Sequence, residues 1–264
     1  MKKDVCTLSG TFAGFRNRVG IATTSILLFF SSCQSGYQVV SMDGKYIPVV
    51  EASQPDTEVA HFIDVYKSQM DQEMNVVVGI STVDMYAAKP ESALTNFTSD
   101  VMMTLGTRYT DGEKIDFTLM NVHGHRSPIV QGEIKLGDLY NTYPFENELV
   151  TLKLKGEQVK EVFDAYARMG GAGISSTVRL KIKNKEIVEA LINGEPVQDD
   201  RIYTIVTLDY LAEGNNGMQA LTKAVSAVPT GITLRDYMIE YVSRMQAAGK
   251  EVGSATDQWI VILE

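Results

Sequence analysis

The sequence predicts a mixed α/β fold, either α+β or a mixed-sheet α/β layer, in one domain with at most a small addition. The chain has 264 residues, of which 44% are hydrophobic and 22% are charged, so it has ample material for a core. Segments with apolar residues at helical spacing are interspersed with short apolar runs typical of strands. These segments show no steady strand–helix–strand rhythm, which argues against a Rossmann fold.

Four segments have apolar residues at helical spacing, and we expect each to pack one face against the core. The predicted helices cover residues 55–74, 91–105, 157–169 and 233–248. The first begins at Pro55, and its apolar positions are Val59, Phe62, Ile63, Tyr66, Met70 and Met74. The third ends at the pair Gly170 and Gly171, because glycine is the usual residue at a helix C-terminus.

Seven predicted strands lie between and beyond these helices. They cover residues 76–80, 115–120, 149–154, 177–182, 186–192, 202–208 and 259–262. Asn193 and Gly194 predict a tight hairpin turn. A further strand-like piece, residues 46–50, lies in the polar lead segment.

The N-terminus has the order of a bacterial lipoprotein signal. A basic region is followed by an apolar run, residues 19–30, that is too short for a comfortable membrane span, and then by Ser31, Ser32 and Cys33. We therefore expect residues 1–32 to be a signal peptide, 33–55 a polar lead and 56–264 the domain, with lipid on Cys33. A plain secretory signal is the alternative. Either implies export, and the first implies a membrane-anchored lipoprotein of the cell envelope or periplasm.

Charge and cysteine content exclude two classes of function. The net charge is −9, and residues 1–32 contribute +3 to it, which leaves −12 for the chain from Cys33. Such an acidic chain is unsuited to nucleic acid, which requires a basic face. The only cysteines are Cys6 and Cys33. The domain therefore has neither a disulfide nor thiol chemistry.

The first candidate site is the turn-rich stretch 121–129 together with Phe145. Arg126 can bind an anion through its planar set of donors, and Asn121 offers both a donor and an acceptor. Phe145 can offer a flat apolar face to a ring. These residues suit a small molecule with a ring at one end and a charge at the other. A polar loop beside one buried Phe is the alternative.

The second candidate stretch, residues 208–217, follows a predicted strand and contains an aromatic residue, two amides and bounding glycines. Tyr210 could face Phe145 across a slot, and Asn216 could bind hydroxyl groups at its edge. A glycine-bounded loop with Tyr210 in the core is the alternative.

The histidines give no complete catalytic or metal site. His123 and His125 are two residues apart, so on an extended segment they would point the same way and form a possible pair of metal ligands. No third or fourth ligand is grouped with them, and His61 lies on a distant helix. Structural or hydrogen-bonding histidines are therefore favoured, and we expect no catalytic residue and no metal in this chain.

Five motifs together resemble the C-terminal domain of the 5′-nucleotidase family, over roughly residues 56–225. They are a Glu with an Asn-x-x-x-Asp helix start, the Asn-to-Ile loop with its Arg, a Gly-x-Ile run before Pro-Phe, a strand ending in Leu-x-Gly, and an aromatic loop with glycines. In this chain they correspond to Glu91, Asn96 and Asp100, then to residues 121–129, 132–145, 149–156 and 210–217.

The resemblance implies a four-layer α/β/β/α arrangement and a nucleoside or nucleotide ligand. Phe145 and Tyr210 would stack on the base, Arg126 would reach the phosphate, Asn121 the base and Asn216 the ribose. The sequence departs from the family in the loop, where Val122 and His123 stand in place of two glycines and His125 in place of an Ile. It departs also at Asn216, which replaces the ribose-binding Asp, and at Tyr210, which replaces a Phe.

In the family a separate first domain carries two metals and the hydrolytic chemistry, and this sequence shows no counterpart of it. The resemblance therefore implies the nucleotide-binding part of a split 5′-nucleotidase whose hydrolysis and divalent metals are supplied by a partner metallophosphatase chain. The alternative is a degenerate scaffold or ligand-binding lipoprotein. A self-sufficient hydrolase would need metal ligands that the sequence does not show.

Overall fold

The computed structural model describes residues 41–48, 56–105, 107–110 and 112–264. The signal segment 1–32, Cys33 and positions 49 and 50 of the strand-like piece lie outside the described residues. The chain divides into two compact units, Met1–Pro55 and Asp56–Glu264. In the first unit, the described residues 41–48 are exposed and have no regular secondary structure, so the strand predicted for 46–50 is absent at 46–48.

The second unit is a mixed α/β domain, which confirms the predicted fold class. Its strands are β1 (Val77–Ser81), β2 (Phe117–Met120), β3 (Gly132–Lys135), β4 (Glu148–Lys155), β5 (Gly173–Ile174), β6 (Val178–Lys183), β7 (Glu186–Ile192), β8 (Glu195–Pro196), β9 (Ile202–Leu208), β10 (Ser226–Thr233) and β11 (Ile260–Leu263). Its helices are α1 (Thr57–Met74), α2 (Ala93–Met103), α3 (Thr107–Thr110), α4 (Leu136–Thr142), α5 (Gly156–Met169), α6 (Asp209–Ala212) and α7 (Leu234–Ala247). Three 3₁₀ turns cover Val122–Gly124, Asn215–Gly217 and Gln219–Lys223.

Among the described residues, the strands form three sheets. The largest has the order β10–β4–β9–β2–β5, the second has the order β11–β6–β7–β8, and β1 pairs with β3 in a two-stranded ribbon. In the five-stranded sheet β2 runs parallel to β9, whereas β4 runs antiparallel to β9. Helix α2 packs on β2 and β5, and α5 contacts strands of both larger sheets.

Local sequence explains where the core helices begin and end. The Ser92 side chain accepts from the backbone N–H of Thr95, and the Thr95 side chain accepts from Ser92 N–H, which forms a capping box at the start of α2. Helix α5 ends at Gly170 in the left-handed conformation, with φ 77°, as its glycines predict. At the start of α5, a Cβ on Gly156 would lie 1.9 Å from the carbonyl oxygen of Gln198, so only glycine fits there.

The predicted tight turn at Asn193 and Gly194 is present and joins β7 to β8. Asn193 and Gly194 have φ of 53° and 82°, and Ile192 pairs with Glu195 across them. Positive φ at both central residues is the geometry of the turn that suits the twist of two antiparallel strands.

The sequence did not predict the strands β3, β5, β8 and β10 or the helices α3, α4 and α6. Strands β3 and β5 have only four and two residues, too few to show a period. Strand β10 contains Pro229 and Gly231 and forms one edge of its sheet, the position at which a proline is tolerated. Within the described ranges, no helix is long and apolar enough to cross a membrane.

Helix α1 is present as predicted, and the Asp56 side chain caps it by accepting from two backbone N–H groups. The expectation that its apolar face packs in the core is wrong, because none of its residues is buried. The periodicity is a property of the helix alone and does not specify which surface covers it.

Candidate functional site

One edge of the five-stranded sheet brings three strand ends together. Strands β2 and β9 are parallel, so the segments that follow them begin at the same edge. Strand β4 is antiparallel to β9 and pairs Leu149 with Leu208, which places the segment before β4 at this edge too. A cavity of about 540 Å³ lies between these segments. Its lining consists of Asn121, His123, Gly124, Arg126, Phe145, Glu146, Asn147 and Tyr210.

Four of the five residues predicted to bind ligand line this cavity. They are Asn121, Arg126, Phe145 and Tyr210, contributed by all three segments. The fifth, Asn216, does not line it. Asn216 is exposed in a 3₁₀ turn with a left-handed φ of 55°.

The two aromatic rings are half-exposed in the cavity wall. Phe145 is 48% exposed and Tyr210 is 42% exposed, whereas the large side chains of the core are almost completely buried. Apolar rings in a concave surface with a few polar groups nearby are typical of a small-molecule site.

The Arg126 backbone is held by a hydrogen bond, whereas its side chain has no hydrogen-bond or ion-pair partner among the described residues. Its N–H donates to the Thr142 carbonyl oxygen at 3.0 Å, which attaches the loop to the end of α4. The side chain is exposed at the cavity, and within the described part of the chain no carboxylate lies within 4.0 Å of it. A guanidinium without an internal partner is available for an anionic ligand.

Asn121 contributes a polar atom that the protein leaves unsatisfied. Its Oδ1 is buried and has no hydrogen-bond partner among the described residues. A buried acceptor without a partner is unusual in a folded protein. A Cβ on Gly124 would lie 3.1 Å from this oxygen, so glycine at 124 keeps the space beside it open. This oxygen is therefore suited to accept from a donor on a ligand.

The segment that carries Phe145 is held by Arg235 of α7, which does not line the cavity. The guanidinium donates to the Pro144 carbonyl oxygen at 3.2 Å and pairs with Glu146 at 3.2 Å. It also lies 4.6 Å from the centre of the Tyr140 ring. Arg235 thus holds the residues that directly precede and follow Phe145 in the sequence.

Asp209 connects the two aromatic segments. Its Oδ1 accepts from the Asn147 side-chain amide at 2.9 Å and from the backbone N–H of Tyr210 at 2.6 Å. This carboxylate therefore sets the position of Tyr210 relative to the chain that follows Phe145. Only the three-dimensional structure shows this contact, because its partners are 62 residues apart.

The 3₁₀ turn Val122–Gly124 separates the two histidines, which an extended segment would have placed side by side. His123 is exposed in the cavity, whereas His125 is buried beneath it. Atom Nδ1 of His125 lies 3.2 Å from the Val122 carbonyl oxygen, and Nε2 lies 2.9 Å from Thr98 Oγ1. His125 is therefore a structural, hydrogen-bonded residue. Across the described ranges, no group of three or more His, Cys, Asp or Glu side chains is arranged to hold a metal ion.

The Glu91, Asn96 and Asp100 motif is structural. The Glu91 carboxylate accepts from the backbone N–H of Trp259 at 2.7 Å, just before β11. The Asn96 amide donates to the Ala255 carbonyl oxygen at 3.0 Å, and the Asp100 carboxylate accepts from Ser176 N–H at 2.8 Å. These three side chains attach α2 to loops that lead into β6 and β11.

Sequence reasoning did not identify His123, Glu146 or Asn147 as site residues. Glu146 and Asn147 directly follow Phe145, so adjacency to a candidate ring was the available signal. His123 lies within the candidate loop, but it was considered only as a possible metal ligand with His125, and a structural role was favoured.

The family model for the 5′-nucleotidase C-terminal domain matches residues 77–223. The chain is 27% identical over 226 residues to the trifunctional nucleotide phosphoesterase YfkN of Bacillus subtilis, which covers 78% of this chain and 15% of that protein. It is 26% identical to the NAD 5′-nucleotidase of Haemophilus influenzae over 200 residues, 64% of this chain and 32% of the relative.

A solved 5′-nucleotidase precursor from Thermus thermophilus has the same fold, with a TM-score of 0.67, 23% identity, and coverage of 79% of this chain and 44% of the other. The chain belongs to the 5′-nucleotidase C-terminal domain family, which confirms the resemblance. It spans less than half the length of these relatives.

Proposed function

We propose that this chain is the nucleotide-binding component of a split 5′-nucleotidase. The observation that carries the proposal is the cavity that unites the half-exposed Phe145 and Tyr210 rings with the free Arg126 side chain. Family membership supports a nucleoside or nucleotide as the ligand.

Each part of a nucleotide has a chemically suitable partner in the cavity wall. A base can stack on the rings, which contributes about 1–3 kcal/mol per base and tolerates different bases. Asn121 Oδ1 can accept from an amino or imino group of the base. Arg126 can bind the phosphate. The ribose hydroxyls are better served by Asn147, which lines the cavity, than by Asn216, which does not.

Hydrolysis is proposed to occur in trans. The relatives named above contain a large additional portion that this chain does not match. A partner metallophosphatase chain would supply the divalent metals and the attacking water, while this chain holds the base and the phosphate. The residues of this chain bind and orient the nucleotide and perform no bond-breaking step.

The testing experiment measures nucleotide hydrolysis by the purified chain alone and together with a candidate metallophosphatase, with Mg²⁺, Mn²⁺ or Zn²⁺ present. We expect no hydrolysis by the chain alone and faster hydrolysis when both proteins are present. Binding of adenosine and AMP is measured in parallel by calorimetry. Metal-dependent turnover by the homogeneous chain would contradict the proposal. Absence of nucleoside binding even with the partner would favour a degenerate scaffold.

Arg126→Ala should weaken AMP binding about tenfold to a hundredfold and leave adenosine binding unchanged. A hydrogen bond to a charged group is worth about 1.5–3 kcal/mol, and only the nucleotide carries the phosphate. Calorimetric titration of both ligands tests this. Arg244→Ala is the matched control. It also removes one positive charge, but from an exposed position on α7 outside the cavity lining. Equal losses for adenosine and AMP would assign Arg126 to a structural role instead.

We also propose that the protein is exported and anchored to the membrane by lipid on Cys33, on the basis of the basic, apolar and small-residue order that precedes it. The mature chain should begin at Cys33 and partition with membranes, and Cys33→Ser should release it into the soluble fraction. Mass spectrometry of the mature N-terminus and fractionation of cells measure both outcomes. A mature chain that begins elsewhere would disprove the lipid anchor.

A further inference from the structure

Helix α1 exposes a continuous apolar stripe. Its 18 residues include no buried position, and the side chains that share one face are 53–64% exposed. They are Val59, Phe62, Ile63, Tyr66 and Met70. The rings of Phe62 and Tyr66 lie 5.0 Å apart, so the stripe forms a connected aromatic and aliphatic surface.

The helix attaches to the domain at its C-terminal end. Met74 packs against Gly137 of α4, where an added Cβ would lie 3.2 Å from the Met74 carbonyl oxygen. Just beyond α1, the Asn75 side chain accepts from Lys135 Nζ at 3.1 Å. Most helical stability in proteins comes from packing of an amphipathic face, so an exposed stripe on an anchored helix indicates a surface that another molecule covers.

We infer that the stripe on α1 is the docking surface for the metallophosphatase chain, through a groove on that partner with an apolar floor and a basic rim. This inference rests on the proposed function. The stripe has anchors at i, i+3, i+4, i+7 and i+11, which is the pattern of a helix bound in a hydrophobic groove. A helix of this length extends about 27 Å, so the groove that receives the stripe should be of similar length.

Charge distinguishes this occupant from a second copy of the chain. Helix α1 has four acidic side chains, Glu58, Asp64, Asp71 and Glu73, and one basic side chain, Lys67. Two copies of α1 would bring like charges together along their whole length, on chains that are already strongly acidic.

Charge also argues against a lipid surface. Helices that lie on membranes carry Lys and Arg on their polar face, because they are attracted to anionic headgroups. The polar face of α1 has the opposite charge. A protein groove rimmed by Lys and Arg complements both the apolar stripe and the acidic flank.

The connection of α1 to the ligand cavity favours a partner that acts on the bound ligand. Met74 packs against helix α4. This helix ends at Thr142, and the Thr142 carbonyl oxygen accepts from Arg126 N–H. Phe145 follows three residues later. A phosphatase docked on α1 would therefore contact a helix that packs against α4, and α4 holds the Arg126 backbone and directly precedes the Phe145 segment.

The test compares the full chain with Phe62→Glu, which places a charge in the centre of the stripe, and with Val188→Glu. The second variant is the matched control, because Val188 is 55% exposed on β7, away from α1. Each tagged protein is crosslinked in its own cells, captured chains are identified, and each purified chain is assayed for metal-dependent phosphatase activity. Binding of the purified partner and of AMP is then titrated.

We expect the full chain and Val188→Glu to capture a metal-dependent phosphatase. Phe62→Glu should bind it at least about thirtyfold more weakly, the effect of losing one central interface residue worth 2 kcal/mol or more. AMP affinity should be the same in all three proteins, and circular dichroism should show α1 intact.

Each other outcome contradicts a defined part of the inference. A phosphatase bound equally by Phe62→Glu removes the docking surface and leaves the proposed function in place. Capture of no phosphatase by the full chain removes both the trans hydrolysis and its docking surface. Dimerisation that light scattering detects, and that Phe62→Glu abolishes, would assign the stripe to a second copy of the chain. Flotation of the Cys33→Ser protein with phosphatidylglycerol vesicles, if Phe62→Glu abolishes that flotation, would assign the stripe to lipid.

Discussion

Replacing either ring of the cavity, by Phe145→Ala or Tyr210→Ala, should weaken nucleoside binding roughly fivefold to a hundredfold. Stacking on one aromatic side chain contributes about 1–3 kcal/mol per base, and each factor of ten in affinity corresponds to about 1.4 kcal/mol. The loss should be similar for adenosine and uridine, because every base has a flat face. Calorimetric titration of both nucleosides against both variants measures the effect.

The control for this experiment is Tyr86→Ala. Tyr86 is 56% exposed and lies outside the cavity lining, so its removal matches the loss of an exposed ring without touching the site. Thermal unfolding is followed alongside, because loss of a partly buried ring can weaken binding by destabilising the fold. Ala variants with wild-type stability and wild-type affinity would show that the rings do not stack on the base.

Four of the five predicted site residues line the cavity because the segments that carry them follow or precede strong strand signals. Asn121 follows β2 and Tyr210 follows β9, and parallel neighbouring strands end at the same edge of their sheet. The resemblance to a known domain joined these separate stretches into one site. The sequence did not predict the contact between Asp209 and Asn147, because a hydrogen bond between distant residues leaves no periodic pattern.

The prediction for α1 failed for a different physical reason. An apolar stripe shows that a helix has a face to cover, and within one compact chain the core is the expected cover. In this domain the core is already completed by α2, α5 and α7, whose inward residues are almost fully buried. Sequence periodicity therefore located the helix correctly and left its partner undetermined.

The buried network beneath the cavity should make the protein sensitive to acid. The Val122 carbonyl can only accept, so Nδ1 of His125 carries a proton. Atom Nε2 lies 2.9 Å from Thr98 Oγ1, whose hydroxyl also donates to the Leu94 carbonyl oxygen at 2.9 Å. The Tyr143 hydroxyl lies 2.8 Å from Thr98 Oγ1. This network joins the Arg126 loop, α2 and the segment that leads to Phe145, and burial lowers the pKa of His125 from 6.5 to about 4.

The sign of the effect follows from proton uptake. Between pH 6.5 and about 4 the unfolded chain binds a proton at His125 that the folded chain does not, so acid favours unfolding. The free energy of unfolding should fall by about 3 kcal/mol over this range from His125 alone, since one unit of pKa corresponds to about 1.4 kcal/mol. Denaturant titrations at several pH values measure the slope.

Carboxylates also titrate toward the lower end of this range, so variants must isolate the histidine. His125→Asn keeps a donor for the Val122 carbonyl and cannot take up a proton. This variant should be less stable than the wild type at pH 7, because part of the packed ring is lost. Between pH 6.5 and 4, however, its free energy of unfolding should fall by about 3 kcal/mol less than that of the wild type. His61→Gln, at an exposed position on α1, should retain the full acid dependence. An unchanged pH slope in His125→Asn would mean that His125 is already protonated in the folded protein, so that burial does not lower its pKa.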